Sequence, residues 1–284
     1  MGTIVAIGGG EIRLGETLAI DREIVSLAHK EKPLALFLPT ASGEPQGYID
    51  TFCQVYGEKL GCQAEVLLLL SGDATQEEIR RKILCADIIY VGGGNTKKMM
   101  QIWQEKHVDV CLREAYEKGT ILSGLSAGSI CWFSQGFSDS DKDETGTYCV
   151  VDGLGFIEAI HCPHYNERGE FDDFMRSQTK PAIAIENNCA IVYKDGTYRV
   201  IQSCETAHAY LLRNTSAGLE KTLLGNPEEK PLASVLGEAD VRYVQPEDIP
   251  GMARVYVDTW KSAYPGISGQ SVWEIRYRMP LADG

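Results

Sequence analysis

The chain has 284 residues, of which 44% are hydrophobic and 24% are charged, as is typical of a soluble globular protein with a sizeable core. Its 27 Lys and Arg against 40 Asp and Glu give a formal net charge of -13, which argues against nucleic acid or an anionic membrane surface as a partner. Residues 241–284 contain five basic and five acidic residues, so residues 1–240 carry the whole net charge.

In chain order, the first 135 residues alternate short apolar runs with amphipathic stretches. Because this alternation is typical of a parallel sheet covered on both faces, we predict an α/β fold with a mostly parallel sheet flanked by helices. The predicted strands are Thr3–Ile7, Leu34–Leu38, Glu65–Leu70, Asp87–Val91 and Thr120–Leu125. The predicted helices are Glu16–Lys30, Gly47–Leu60, Thr75–Leu84, Thr96–Lys118 with a break near His107, and one beginning with Ala127–Phe133.

The pattern changes after residue 136, where we predict a C-terminal β hairpin region. Val192–Tyr193 and Thr197–Ile201 flank an Asp-Gly turn and read as a hairpin, followed by a strand over Ala207–Leu212. Residues 214–240 are richer in Gly, Pro, Ser and Glu. We therefore predict a catalytic domain over residues 1–213, a linker over 214–240 and a separate segment over 241–284.

The nine cysteines and the first ten residues indicate the cellular compartment of the protein. The cysteines are scattered and form no C-x-x-C pair, which predicts buried free thiols in a reducing compartment and no zinc knuckle. Met1–Gly10 lacks a basic region and is too short for a signal peptide, and the apolar run Val66–Leu70 is far below membrane-spanning length. We expect a cytoplasmic protein that does not span a membrane.

The sharpest local motif is Gly124-Leu125-Ser126-Ala127-Gly128, which matches G-x-S-x-G between a predicted strand and a predicted helix. In that context the serine sits on a tight turn with its hydroxyl exposed above the sheet, so Ser126 is a candidate nucleophile. The alternative is an ordinary strand-to-helix turn with a helix-capping serine.

A serine nucleophile needs a base, and the chain has five histidines. His29 and His107 lie on predicted helices, and His208 lies on a late strand. His164 follows a proline and opens a polar segment, so we favour it as the base over His161, which can also pack or cap.

Two acids compete for the role of orienting the imidazole. Glu186 ends the apolar strand Ala182–Ile185, and the C-terminal ends of strands are where active sites form in parallel sheets. Asp141 lies in an acidic run, residues 138–144, which is typical of a solvated loop and does not fit an EF-hand cation site. We favour Glu186 over Asp141.

A second glycine-rich loop, Gly92-Gly93-Gly94-Asn95-Thr96, follows the fourth predicted strand. It meets neither the G-x-G-x-x-G nor the Walker pattern for phosphate binding. The alternative is that the N–H groups of Gly94 and Ala127 form an oxyanion hole. The triplet Gly8-Gly9-Gly10 either borders the same cleft or forms a plain turn.

Three motifs, in their order along the chain, resemble peptidase family S51: residues 92–96, residues 124–128 and Pro163-His164-Tyr165. That family contains the peptidase E-type α-aspartyl dipeptidases and the cyanophycinases. The resemblance covers about residues 1–212 and implies a fold like the class I glutamine amidotransferases, with serine replacing their cysteine. It implies a Ser-His-Glu or Ser-His-Asp triad. The residues it assigns are Ser126 as nucleophile, His164 as base, Gly94 and Ala127 as oxyanion donors, and Glu186 or Asp141 as the acid.

Specificity is the point where the sequence departs from the family. Aspartyl dipeptidases need a cation to hold the carboxylate of the substrate, and Arg168 is the nearest candidate, although it also reads as a surface arginine. We assign Asn95 and Arg168 to substrate binding, and we leave open cleavage of small peptides that lack aspartate.

The C-terminal segment resembles another family. Val241–Val244, Pro246–Pro250 and Ala253–Tyr264 are similar to the first strand and helix of a GNAT acetyltransferase. The sequence stops before that family's pyrophosphate loop, so we expect residues 241–284 neither to bind acetyl-CoA nor to transfer an acetyl group.

Together these patterns predict a cytoplasmic serine peptidase that hydrolyses small peptides without a cofactor or a metal, with α-aspartyl dipeptides among the candidate substrates. One alternative is a catalytically silent small-molecule-binding or regulatory protein of the same fold. Another is an amidase or acyltransferase that acts on a non-peptide amide.

Overall fold

A computed structural model describes residues 2–225, 230, 231 and 236 of the chain. The strands are β1 (Thr3–Ile7), β2 (Leu34–Leu38), β3 (Gln63–Val66), β4 (Ile88–Val91), β5 (Ile121–Leu125), β6 (Phe133–Ser138), β7 (Cys149–Asp152), β8 (Ile157–Cys162), β9 (Ala182–Ile185), β10 (Cys189–Lys194), β11 (Thr197–Gln202), β12 (Ala209–Thr215), β13 (Gly218–Leu223) and β14 (Lys230–Pro231). The helices are α1 (Leu18–Leu27), α2 (Gln46–Phe52), α3 (Gln76–Cys85), α4 (Thr96–Glu105), α5 (Val108–Glu117), α6 (Ala127–Ile130), α7 (Lys142–Thr145) and α8 (Glu170–Met175).

The first sheet has eight strands in the order β14-β11-β10-β1-β5-β4-β2-β3. The five strands from β1 to β3 in this order are parallel, while β10, β11 and β14 run antiparallel to their neighbours. Antiparallel strands can be joined by a tight turn, and β10 and β11 form such a hairpin.

Both faces of the first sheet are buried, which explains its continuous apolar strands. In β1, Ile4 and Ala6 belong to one hydrophobic cluster, while Val5 and Ile7 belong to the other. Side chains alternate between the faces of a strand, so the two clusters lie on opposite sides of the sheet. Helix α1 supplies Ile20 to the second cluster, and α4 and α5 supply side chains to the first.

The second sheet has six strands in the order β13-β12-β9-β8-β6-β7. Its central strands β6, β8 and β9 are parallel, and β7, β12 and β13 pair antiparallel. The chain passes from this sheet to the first one in the three residues between β9 and β10.

The predicted fold class is confirmed, since a mostly parallel sheet is flanked by helices and the hairpin region follows it. Strands β1, β2 and β9 have the predicted bounds. The predicted break near His107 is also confirmed, because His107 adopts φ 51° between α4 and α5.

Several elements differ from their predictions. Helix α2 ends at Phe52, and a π-helical segment, Cys53–Lys59, follows it where the prediction had one helix to Leu60. Strand β3 covers Gln63–Val66 instead of Glu65–Leu70. The helix after the G-x-S-x-G motif ends at Ile130, and the chain enters β6 at Phe133. The pairing of β6 to β9 into a second sheet was not part of the predicted architecture.

The first ten residues of the predicted linker belong to the second sheet. Residues 209–215 and 218–223 pair as β12 and β13, with Thr215 opposite Gly218. The second sheet therefore extends past residue 213, into the predicted linker. The predicted acetyltransferase-like segment, residues 241–284, lies outside the described residues. Within the described residues, no helix has the length and apolarity needed to cross a membrane.

A buried carboxyl group lies on α1 beneath the Gly8-Gly9-Gly10 loop. The carboxyl of Asp21, which is fully buried, accepts hydrogen bonds from the hydroxyls of Thr17 at 2.8 Å and Tyr56 at 2.9 Å. Burial raises the pKa of Asp21 to about 6, although the two hydrogen bonds act in the opposite direction.

Three glycine-rich turns meet at the carboxyl edge of the first sheet. Strands β1, β5 and β4 are adjacent and parallel, so their C-terminal ends lie side by side. The loops that begin at Gly8, Ser126 and Gly92 leave these ends, and the N–H of Ser126 donates to the carbonyl of Ile7 at 3.1 Å. This edge is where the candidate site forms.

Candidate active site

Ser126 occupies a strained turn between β5 and α6. Its torsions are φ 57° and ψ −111°, and positive φ at a non-glycine residue costs about 1–3 kcal/mol. A Cβ on Gly124 would lie 2.1 Å from the carbonyl oxygen of Gly128, and a Cβ on Gly128 would lie 2.1 Å from that of Val91. Only glycine fits at either position, so steric limits explain both glycines of the G-x-S-x-G motif.

The hydroxyl of Ser126 does not cap the helix behind it. No capping hydrogen bond joins this side chain to α6, and the hydroxyl has no hydrogen-bond partner among the residues that the structure describes. The alternative interpretation as a helix-capping serine is therefore not supported. A free hydroxyl on a strained turn is the geometry of an exposed nucleophile.

Two backbone N–H groups near this turn are available as donors. The N–H groups of Gly94 and Ala127 make no backbone or side-chain hydrogen bond within the described part of the chain, whereas the N–H of Gly93 donates to the Tyr48 hydroxyl at 3.4 Å. Gly94 adopts φ 136°, and a Cβ there would lie 2.2 Å from the carbonyl oxygen of Ala41. These N–H groups suit the predicted role in an oxyanion hole, which stays a prediction.

His164 follows β8 and is held above the Gly8-Gly9-Gly10 loop. It adopts φ 51°, and its N–H donates to the carbonyl of Gly8 at 3.0 Å. Its Nδ1 lies 2.6 Å from Oδ1 of Asn187. A Cβ on Gly9 would lie 2.4 Å from that Nδ1 and 2.0 Å from that Oδ1, so the pair packs directly on a glycine backbone.

The environment of His164 keeps its imidazole neutral near pH 7. Burial lowers the pKa of His164, and the hydrogen bond to Asn187 partly offsets that effect. Among nearby charges, Arg168 lowers this pKa, while Glu167 and Asp139 raise it. A neutral imidazole with a protonated Nδ1 leaves Nε2 able to accept a proton.

Asn187 is itself fixed on two sides. Its Nδ2 donates to Oε1 of Glu167 at 2.5 Å, and its N–H donates to Oδ1 of Asn166 at 2.9 Å. The residue that orients His164 is thus an amide backed by a carboxylate.

Glu186, the favoured acid, does not contact His164. Its Oε2 accepts the N–H of His208 at 2.8 Å, and its own N–H donates to the carbonyl of His208 at 3.0 Å. These two bonds prolong the pairing of β9 with β12, so the side chain faces β12. The predicted contact of Glu186 with the imidazole is not found in the described part of the chain, where the hydrogen-bond partner of Nδ1 is the next residue, Asn187.

Asp141, the second candidate acid, and Asn95 both make hydrogen bonds where the acidic loop, residues 138–144, meets α4. Oδ2 of Asp141 lies 2.7 Å from Nζ of Lys97, and this hydrogen bond lowers the pKa of Asp141. Asn95 caps α4 by accepting the N–H of Lys98 at 2.9 Å, and its Nδ2 donates to the carbonyl of Ser140 at 2.8 Å. Both side chains fasten the acidic loop to α4, and neither lines the cavity.

Arg168 is buried and bonded within the protein, which argues against the predicted role in substrate binding. Its side chain is 4% exposed, and its guanidinium donates to the carbonyl of Phe137 at 2.6 Å and to Asp139 at 3.2 Å. It also lies over the Tyr148 ring at 5.2 Å. A buried cation needs such partners, so the guanidinium is not available to a ligand.

His161 packs in the interior, which is one of the alternatives that the sequence analysis gave for it. It is fully buried, its ring stacks on Phe133 at 4.3 Å, and burial lowers its pKa to about 3. Its Nδ1 lies 2.9 Å from the carbonyl oxygen of Ile183, so Nδ1 carries the proton and Nε2 accepts from the Ser129 hydroxyl at 2.8 Å. This choice of His164 over His161 agrees with the geometry.

Ser126 and His164 line one cavity of about 570 Å³, together with Gly94, Tyr48, Glu11 and Arg13. The Arg13 side chain is exposed and has no hydrogen-bond or ion-pair partner in the described part of the chain. Glu11 accepts the N–H of Arg13 at 3.2 Å. Among the described residues, no group of three or more His, Cys, Asp and Glu side chains is placed to hold a metal ion.

Sequence reasoning missed Asn187, Glu167, Glu11 and Arg13. Asn187 adjoins the predicted acid, and its amide was not considered as an orienting group. Glu11 and Arg13 lie just after Gly8-Gly9-Gly10. The interpretation that this triplet borders the cleft could therefore have pointed to them.

Comparison with known proteins places this chain in a family. Residues 4–201 match the model of peptidase family S51, which spans most of the chain. The chain therefore belongs to peptidase family S51 and is a peptidase.

Relatives agree with that membership. The chain is 38% identical over 173 residues to the uncharacterized peptidase YgaJ of Bacillus subtilis (strain 168), a match covering 61% of this chain and 71% of that protein. A peptidase from an acI-B1 Actinobacterium superposes with a TM-score of 0.64 at 20% identity, covering 81% of this chain and 97% of that one. A candidate peptidase E protein from Listeria monocytogenes EGD-e gives a TM-score of 0.57 at 22% identity, covering 71% and 98%. At these identities the two structures show a shared fold.

Proposed function

We propose that this chain is a serine peptidase of small peptides, with Ser126 as nucleophile and His164 as general base. The observation that carries the proposal is that both side chains line one cavity, the serine on a strained turn and the histidine held through Nδ1 by Asn187. That hydrogen bond leaves Nε2 of His164 as the proton acceptor, which is the arrangement a serine nucleophile requires.

The reaction follows from these positions. Oγ of Ser126 attacks the scissile carbonyl carbon as its proton passes to Nε2 of His164. The tetrahedral intermediate collapses when the imidazolium gives that proton to the leaving amine, and an acyl-serine forms. Water then attacks the acyl carbon with His164 again as base, which releases the acid product and returns the serine.

The N–H groups of Gly94 and Ala127 would stabilise the oxyanion. Each lacks an acceptor within the described chain, and each adjoins a glycine-dependent turn at the carboxyl edge of the first sheet. Fixed backbone donors of this kind contribute because they need no reorganisation when charge develops, and losing one costs about 100–1,000-fold in rate.

The cavity favours a short, charged substrate. A volume of about 570 Å³ lies in the range that suits small ligands. Arg13 offers a cation for a substrate carboxylate, a role that buried Arg168 cannot fill, and Glu11 offers a carboxylate for an amine. We propose short peptides as substrates, with aspartyl dipeptides the first class to test.

The test is a dipeptide-library hydrolysis assay on wild type and Ser126→Ala, with Asp-Xaa peptides compared with Asn-Xaa peptides. We expect hydrolysis and fluorophosphonate labelling of Ser126 in the wild type, and neither in Ser126→Ala. Full peptidase activity in Ser126→Ala would refute the mechanism. Failure of folded wild type to label would instead favour a catalytically silent binding protein.

The aspartyl preference has its own test. Arg13→Gln should reduce turnover of Asp-Xaa more than turnover of Asn-Xaa, because only the aspartyl side chain gains from the cation. Equal losses of turnover for both substrates would show that Arg13 does not bind the aspartyl carboxylate.

A further inference from the structure

A short polar relay extends from His164 away from the cavity. Nδ1 of His164 lies 2.6 Å from Oδ1 of Asn187, whose Nδ2 lies 2.5 Å from Oε1 of Glu167. Glu167 ends the single helical turn Tyr165–Glu167, which begins directly after His164. The carboxylate and the imidazole therefore belong to one turn, and the amide between them comes from the loop after β9.

The chemistry of these groups fixes every proton along the relay. An ionised carboxylate only accepts hydrogen bonds, so the group that faces Glu167 must be the amide nitrogen of Asn187. The amide oxygen then faces His164 and only accepts, so Nδ1 must carry the proton. Nε2 is consequently unprotonated, which is the tautomer that a general base needs.

We propose that Glu167 is a positioning residue for peptide hydrolysis, which acts through Asn187 to hold His164 in its productive tautomer and to supply the charge that balances the imidazolium. The proposal rests on the serine peptidase chemistry proposed above. It assigns to two residues, an amide and a carboxylate, the work that one carboxylate does in a Ser-His-Asp triad.

No proton leaves the imidazole toward Glu167 during the reaction. The proton of the Ser126 hydroxyl moves to Nε2 of His164 and later to the leaving amine. The Nδ1 proton stays between His164 and Asn187 throughout. Its contribution is electrostatic and geometric.

Other charges near His164 define what the experiment must separate. Arg168 opposes protonation of His164, and Asp139, which pairs with Arg168, favours it. His161 packs nearby but is neutral, because burial holds its pKa at about 3. Glu167 is exposed, so its effect is screened and we expect a moderate change when it is removed.

The experiment is a double-mutant cycle of Glu167→Gln and Asn187→Asp. Glutamine keeps the shape of glutamate but can donate as well as accept, so Asn187 is free to flip and His164 to change tautomer. Asn187→Asp places a carboxylate directly on Nδ1, but also beside Glu167, and two carboxylates at that separation resist simultaneous ionisation. The sign of the Glu167→Gln effect should therefore invert between the two backgrounds.

With Asn187 present, we expect Glu167→Gln to lower kcat/KM and the fluorophosphonate labelling rate about tenfold, and to move the acid limb of the pH profile about 0.5 units lower. With Asn187→Asp present, the same substitution should raise both rates about tenfold, because glutamine donates to the new carboxylate. Glu170→Gln, which removes an exposed carboxylate three residues along, should change none of these quantities.

Wild-type rates and an unchanged pH profile in Glu167→Gln would overturn the proposal. Equal losses in both backgrounds would also overturn it, since they would indicate a structural role. If Asn187→Asp does not fold, the pH profile and labelling rate of Glu167→Gln against Glu170→Gln decide alone. Wild-type protein without Ser126 labelling would instead refute the proposed function itself.

Discussion

Replacing Gly9 with alanine tests whether the His164–Asn187 pair governs catalysis. Gly9 does not adopt a left-handed φ, so its backbone accepts alanine and the effect is purely steric. The added Cβ would lie 2.0 Å from Oδ1 of Asn187 and 2.4 Å from Nδ1 of His164. Ordinary contact begins near 3.4 Å, so the two side chains must retreat by roughly 1 Å or more.

A displacement of that size should affect rate far more than fold. Misplacing a catalytic group by about 1 Å can cost about 100-fold in rate. Both displaced side chains are only partly buried, so they can move toward solvent without opening the core. We expect kcat/KM and the labelling rate of Ser126 to fall about 100-fold in Gly9→Ala.

The assay measures fluorophosphonate labelling, peptide hydrolysis and thermal unfolding of Gly9→Ala alongside Gly169→Ala. Gly169 precedes α8, has φ −58°, and an added Cβ there meets nothing within 4 Å. It should behave as wild type in all three measurements. A folded Gly9→Ala that labels at the rate of wild type would refute the view that this pair positions the base.

Three further predictions concern strain and charge. Ser126→Gly should unfold in urea with a free energy about 1 kcal/mol higher than Ser126→Ala, because glycine adopts φ 57° and ψ −111° without strain, and equal values would argue against strain. The acid limb of kcat/KM should have its midpoint below pH 6.5, since burial lowers the pKa of His164, and a midpoint above 6.5 would contradict this. The pKa of Asp21 is raised from 3.8 to about 6, so the folded state holds its proton longer than the unfolded chain and stability falls as the pH rises from about 4 to 6. Asp21→Asn should therefore be more stable than wild type at pH 7, by at most about 3 kcal/mol, and should lose that advantage at pH 4 in urea unfolding at both pH values.

Apolar runs predicted strands well where a strand is buried on both faces and ends at a glycine or proline. Thr3–Ile7 stops at Gly8, and Leu34–Leu38 stops at Pro39. The run Glu65–Leu70 led to a wrong strand prediction, because Leu67 and Leu69 are buried in the loop after β3 and not in a strand. The carboxylate of Glu44 accepts the N–H groups of that loop, and no local pattern reveals so distant a partner.

The candidate nucleophile and the candidate base could be proposed from the sequence because each depends on its immediate neighbours. Ser126 needs small residues two positions away on each side, and His164 stands at the end of a strand. The orienting group depends on the direction in which a side chain leaves the sheet. Glu186 and Asn187 are adjacent at the end of β9, and successive side chains along an extended chain point to opposite sides.

The second sheet escaped prediction for a similar reason. Its strands β6 and β7 mix polar with apolar residues, and their burial comes from packing against α6, α8 and the aromatic side chains around Phe137. Parallel pairing of β6 with β8 and of β8 with β9 joins residues distant in sequence. Such pairing is set by tertiary packing, which a single sequence does not display.

The proposed catalytic pair is divided between the two sheets, since the turn of Ser126 follows β5 of the first and His164 follows β8 of the second. The loop that carries Asn187 is the crossing from one sheet to the other. A chain leaving the ribosome thus carries Ser126 before it carries His164 and Asn187, and the hydrogen bond to Asn187 needs the crossing between the sheets to be present. On the proposed mechanism, hydrolysis therefore requires both sheets to be in place.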